Sequence, residues 1–434
     1  MGFTARLARG DVHLENGAPA PKHPPEHPYS GPHAMILMRT IHRPSLRLTV
    51  AGFALLLVSA GSGPVRANSQ AELDALIEHG QELNLAGDHD AAAAVFAKLR
   101  VAAPEDPAGP VNQVATLYWR HIFDEADTRY DEEITKLAEE AVRLSAARLD
   151  VRETDAEAHY YMGVALIDLA RIYAYRGRYL KAGGSGEDGR KHLERALELD
   201  SSMIEVMYPL GLYNYYSDFG STILKLLSWL WFVPTGDATL GRKYLHELAE
   251  SDSIQRWNAR FILANINTYH RPVDYAIAET LVTGLHERFP GNRIVHFELI
   301  ELYYESGRYA EAAREADVLA NRPKTNRLFE GRGNVARIWQ ARALIRLGQS
   351  EQALKALARV PASGQMPSWG SAWLHLTRAQ AYDTLGRRDE ALADYRAILA
   401  HRSGPFDTDR FRVLAERGLT TPFVVHFSSG SDIR

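Results

Sequence analysis

The sequence predicts an all-α fold, an α-α superhelix assembled from paired helices. Three observations carry this. Beyond the first 67 residues, apolar side chains recur at i, i+3 and i+4, the period of a helix with one buried face. No stretch alternates apolar and polar residues long enough to supply the strands of a sheet. Small and bulky residues also return at similar places about every 34 residues. The chain has 434 residues, more than the roughly 250–300 that one compact core usually holds. A stacked array accommodates that length, because each unit packs only on its neighbours.

Residues 1–34 are rich in Pro and His and show no period. They read as disordered or as lying upstream of the true start, for which Met35 and Met38 are alternatives. Residues 35–67 read as a secretory signal peptide: Arg39, Arg43 and Arg47, then the apolar run 48–61, then small residues ending at Ala67. The run falls short of the ~18–20 residues that a spanning helix needs. Cleavage after Ala67 is expected, giving a periplasmic or secreted protein. The chain contains no cysteine, so disulfides, thiolate metal sites and a lipidated cysteine are excluded. Its 50 basic residues against 54 acidic ones leave no positive excess for nucleic acid.

The repeat domain is expected to span 68–426, with 427–434 as a frayed tail. Gly80, Leu83, Ala92, Phe96 and Pro104 open the series, with Gly87-Asp88 as the turn between two helices. Residues 111–150 supply two helices of a degenerate unit. Tyr269, Ala278, Val282 and Pro290 mark a unit at 257–290. Tyr303, Gly307, Tyr309 and Ala312 mark another, and Ala341, Leu344, Gly348, Ala353 and Leu357 a further one. Ala379, Tyr382, Gly386, Ala391, Tyr395 and Ile398 mark the last, and the segment 411–419 reads as a capping helix. A small residue in the first helix lets its partner approach, a bulky one in the second fills the gap to the next pair, and proline ends the unit. This spacing resembles the tetratricopeptide repeat, which implies a right-handed superhelix of about seven to eight helix pairs.

The middle is irregular. GRKHLERALELDS at 189–201 and GRKYLHELAESDS at 241–253 are one element used twice, each a second helix opening on glycine. An insertion is expected before each. The first, RGRYLKAGGSGED, with the Gly189 that follows it completes a Gly184-to-Gly189 match to G-x-G-x-x-G, read as a flexible linker because no strand precedes it. The second, 221–237, is apolar, with Leu227, Trp229, Trp231 and Phe232 at its centre. It reads as a lid on the solenoid, an interfacial membrane contact or the wall of an apolar pocket. GLYNYYSDFG at 211–220, the apolar LLSWLWF and GDATLGRKYL at 236–245 together resemble the inclusion-body clearance proteins and similar bacterial proteins over residues 155–320. That resemblance implies an adaptor and supplies no catalytic residues.

No metal spacing, nucleophile elbow or phosphate loop appears, so neither cofactor nor metal is expected and an enzyme is not the favoured reading. Asp88-His89-Asp90 reads as a helix cap. By the repeat register, Tyr160, Tyr208, Tyr215, Tyr216, Phe297, Tyr304 and Trp373 should face the concave groove, with Asn267, Arg271, Arg342 and Arg346 adding polar contacts. The Lys and Asn clamp for a terminal carboxylate is missing at the corresponding positions. The expected function is an exported, non-catalytic scaffold binding a protein or peptide in that groove, or a carrier of an apolar small molecule or lipid with 221–237 as its lid.

Overall fold

The computed structural model describes residues 69–122, 124, 126–218, 236–323, 327–361, 365–400 and 408–425. The leader segment, the core of the apolar insertion with Leu227, Trp229, Trp231 and Phe232, and the tail lie outside the described residues. The chain is an all-α superhelix, and no strand occurs among the described residues.

The helices run in pairs along the chain. They are α1 Gln70–Ala86 with α2 His89–Ala102, α3 Ala108–His121 with α4 Asp131–Val151, and α5 Ala156–Tyr175 with α6 Tyr179–Leu199. A single 3₁₀ turn at Ile204–Val206 leads into α7 Met207–Asp218, which pairs with α8 Ala238–Ala249. Then come α9 Arg256–Tyr269 with α10 Tyr275–Arg288, α11 Arg293–Glu305 with α12 Tyr309–Ala320, and α13 Arg327–Arg346 with α14 Ser350–Leu357. The last pair is α15 Gly370–Thr384 with α16 Arg388–Ala400, and α17 Thr408–Thr420 covers its end. Each helix packs chiefly on those next to it in sequence, as stacking requires.

One chemical device closes five of the eight first helices. Gly87, Gly177, Gly307, Gly348 and Gly386 all take positive φ between 68° and 85°. At each, the glycine N–H and the next N–H return to carbonyls of the last helical turn, as in Gly87 to Asn84 at 3.0 Å and Asp88 to Leu83 at 2.9 Å. A residue with a Cβ pays about 1–2 kcal/mol for that left-handed backbone.

Close crossing within a pair is set by glycine against glycine. A Cβ at Gly163 of α5 would meet Leu193 Cγ at 2.5 Å and Gly189 O at 2.9 Å. One at Gly241 of α8 would lie 2.7 Å from Gly211 O and 2.6 Å from Tyr215 N. The repeated GRK element thus places Gly189 and Gly241 at the same crossing. This corrects one expectation: residues 179–199 form one continuous helix, so the Gly184-to-Gly189 stretch is no linker. Gly186 and Gly189 are buried because α5 lies against them.

The array also curls back on itself. Asn292, at the start of α11, donates through Nδ2 to Leu85 O of α1 at 2.8 Å. Arg288 of α10 pairs with Glu82 of α1. Trp119 of α3 packs on Phe261 of α9 with centroids 5.7 Å apart, and Arg332 of α13 donates to Trp119 O. Ser368 donates through its N and Oγ to Asp124, at 2.7 and 2.8 Å. Within this curl the first helices of the first five pairs bound a hollow.

Candidate functional site

The hollow has a volume of about 1080 Å³. Its walls come from α1, α3, α5, α7 and α9, the first helices of five successive pairs, with the start of α6 and the loops before α7 and α9. The helical period sends one stripe of each helix inward. On α5 that stripe carries Tyr160, Tyr161, Val164, Asp168, Arg171 and Tyr175.

The wall is largely aromatic and aliphatic, with eight tyrosines besides Trp119 and Phe261. On this wall, Arg171 places its guanidinium 3.3 Å from the Tyr118 ring centroid and pairs with Asp168 Oδ1 at 3.2 Å. The Tyr118 hydroxyl donates to Asp168 O at 2.8 Å. Asp168 is only 9% exposed. Burial pushes its carboxyl up to about 6, while the Arg171 charge and hydrogen bond pull the other way. Burial likewise raises the Tyr118 and Tyr160 phenols, and the Glu205 charge adds to the effect at Tyr160. These tyrosines stay neutral and act as donors and ring faces.

The structure divides the expected groove residues. Tyr160, Tyr208 and Tyr216 line the hollow. Tyr215 is in the core between α7, α8 and α9, stacked edge-on against Tyr216 at 5.2 Å. Phe297, Tyr304 and Trp373 are buried among α11, α13 and α15. Arg342 is buried with them, its guanidinium 4.5 Å from the Tyr304 centroid, 4.7 Å from Trp339 and 5.1 Å from Trp373. Asn267 is buried and donates to Leu263 O in its own helix. Arg346 donates to the Tyr304 hydroxyl at 3.2 Å, and Arg271 is exposed in the turn after α9. The register projected an open concave face, but in the second half of the chain those positions lie between packed helices. The Asp88 side chain accepts from Ala91 N and caps α2, as its type suggests. His89 beside it is buried and stacked on Trp119 at 6.1 Å.

Residue-type reasoning missed Tyr118, Asp168, Arg171 and Glu205. A signal existed for two of them: Asp168 and Arg171 are one turn apart in the otherwise apolar second half of the helix, a spacing that aims both at one place.

Residues 334–359 and 372–393 match the family model of the tetratricopeptide repeat. These segments fall on α13 with α14 and on α15 with α16, the pairs whose spacing is most regular. A tetratricopeptide repeat protein of known structure, from Parabacteroides merdae ATCC 43184, is similar at 14% identity over 80% of this chain and 99% of that chain, with a TM-score of 0.30. No curated protein matches the sequence. Tetratricopeptide repeats generally serve protein interaction, which agrees with a site made by the scaffold itself.

Proposed function

We propose that this chain is an exported, non-catalytic binding scaffold that takes a segment of another protein into the hollow bounded by α1, α3, α5, α7 and α9. The observation that supports it most is the aromatic-walled space of about 1080 Å³, at the upper end of what ligand pockets usually measure, ~300–1000 Å³. Its wall side chains are carried on packed helices, so little order has to be gained on binding. An extended segment fits better than a folded domain, because a space of about 1080 Å³ is far smaller than a domain. The likeness of residues 155–320 to the inclusion-body clearance family agrees with an adaptor role.

Filling the space tests this. Ala115 of α3 lines the hollow and is half-buried. Ala115→Trp should abolish capture of a peptide partner while far-UV circular dichroism stays unchanged. Undiminished capture would remove the hollow from the proposal. The carrier reading uses the same space, and native mass spectrometry separates the two: co-purified lipid supports the carrier, bare protein the scaffold. Export is checked by sequencing the amino terminus of the envelope form, expected to begin at Asn68.

A further inference from the structure

The hollow is lopsided in charge. Among the described residues its lining includes six carboxylates, of which Glu157 is paired with Arg148 outside the lining, and one Lys or Arg side chain, Arg171. Arg171 is itself matched by Asp168. Glu205 is half-buried beside the Tyr160 phenol, and its carboxylate makes no hydrogen bond or ion pair among the described residues. Glu78 of α1 lines the same space. Tyr160 and Tyr208, on α5 and α7, line the same hollow, and Tyr160 feels the Glu205 charge.

From this we infer that the scaffold selects a cationic segment: the ammonium or guanidinium of a Lys- or Arg-bearing peptide enters the hollow and is held between tyrosine faces and the Glu205 carboxylate. The inference rests on the binding reading above and names its ligand class. A cation is attracted by the negative face of an aromatic ring, and the gain is greater where water is excluded. A carboxylate at the rim adds steering and fixes the sign of the partner. The molecule already satisfies one cation in this way, with Arg171 over Tyr118 and against Asp168. An anionic segment would meet more carboxylates than cations and lose its hydration with no charged donor among the described lining residues beyond the occupied Arg171.

The test uses the purified full chain and calorimetry with three short capped peptides that share two leucines and differ only in carrying Lys, Gln or Glu, together with n-hexylammonium as a free amine. The Lys peptide should bind at least tenfold more tightly than the Gln peptide, the Glu peptide should not bind, and raised salt should weaken the Lys peptide. Glu205→Gln should cost the Lys peptide about three- to tenfold and leave the Gln peptide unmoved. Glu78→Gln, on a separate helix, repeats the measurement should the first variant fold poorly. Tyr160→Phe should keep the affinity and Tyr160→Leu lose it, because only the ring face is needed.

Equal binding of the Lys and Gln peptides, with Ala115→Trp abolishing both, would overturn the cation inference and leave the binding hollow standing. Binding of the Lys peptide unmoved by Ala115→Trp would overturn both. Binding of hexylammonium with none of the peptides would overturn the peptide source in favour of a small amine.

Discussion

At the scale of single residues, close packing makes opposite predictions for two glycines 21 positions apart. Gly163 sits where a Cβ would press on Leu193 and on the Gly189 carbonyl. Gly163→Ala should therefore destabilise the protein by about 1–3 kcal/mol in urea unfolding. Gly184 is an interior position of α6 with nothing within 4 Å of its added Cβ. Gly184→Ala should raise stability by about 0.5–1 kcal/mol, since glycine gives up the most backbone freedom in a helix. His89 makes a second residue-scale prediction. Burial, with the charges of Arg332 and Arg120 added, holds its ring down to about 3, against 6.5 when unfolded. Between those values the unfolded chain binds a proton that the folded one does not, so this residue's contribution falls as the pH drops below about 6.5. Asp168 acts in the opposite sense, because its carboxyl protonates in the fold near pH 6 and gains stability on acidification. A difference between proteins isolates the histidine: His89→Gln should lose ~2–3 kcal/mol less than the parent between pH 7.5 and 4.5. Parallel stability curves would contradict it.

At the scale of elements, the pairs were legible because local chemistry repeats. Gly80 faces Phe96 as the spacing implied, with a Cβ there 2.4 Å from the ring. Ala379, Ala391, Tyr395 and Ile398 fill the last pair as expected. The turn glycines could be placed for the same reason, since a left-handed closure leaves a Gly between two helical periods. Gly307 shows that the requirement is one of backbone alone: φ is +80° and open space surrounds it. Gly307→Ala should cost about 1–2 kcal/mol, and Gly307→Asn less, because asparagine tolerates that region better. Thermal melts of the two variants measure the gap, and equal losses would place the cost in packing instead. The stretch 179–188 reads as an insertion because its glycines resemble a loop in sequence, whereas it is the first part of α6 and some of them let α5 approach. The groove was legible in part. Register alone finds the inner stripe of α5 and α7, which carries Tyr160, Tyr208 and Tyr216. It cannot separate an inner stripe that meets solvent from one that meets another helix, and Phe297, Tyr304 and Arg342 are buried between helices.

At the scale of the molecule, what repeat periodicity does not encode is closure. Contacts between neighbouring pairs follow from a unit's own sequence. The meeting of α1 and α3 with α9, α10, α11 and α13 depends on how small rotations accumulate across five units. The residues that make it are individually ordinary. Asn292 caps α11, accepting from Ile294 N and Val295 N at 2.8 and 3.2 Å, and in addition reaches Leu85 O. Asp124 serves Ser368. Because stacking energy lies between neighbours, breaking the closure should open the array without unfolding it. Asn292→Ser with Asp124→Ala keeps an oxygen acceptor for the cap and removes the reach to Leu85 and both bonds to Ser368. The double variant is expected to keep its helical circular dichroism, to show a larger radius of gyration in solution scattering, and to exchange amide hydrogens of α1 and α3 faster than those of α15 and α16. Peptide affinity should fall with it, since α1 and α3 would move away from the wall that α9 completes. Unchanged scattering and exchange would mean that the remaining contacts, Trp119 with Phe261, Arg288 with Glu82 and Arg332 with Trp119 O, hold the curl, and Trp119→Ala with Glu82→Ala in the same background should then release it. A chain that unfolds as a whole when the closure is cut would show that the first pairs cannot stand by stacking alone, and the hollow would then be a product of cooperative folding, not of accumulated curvature.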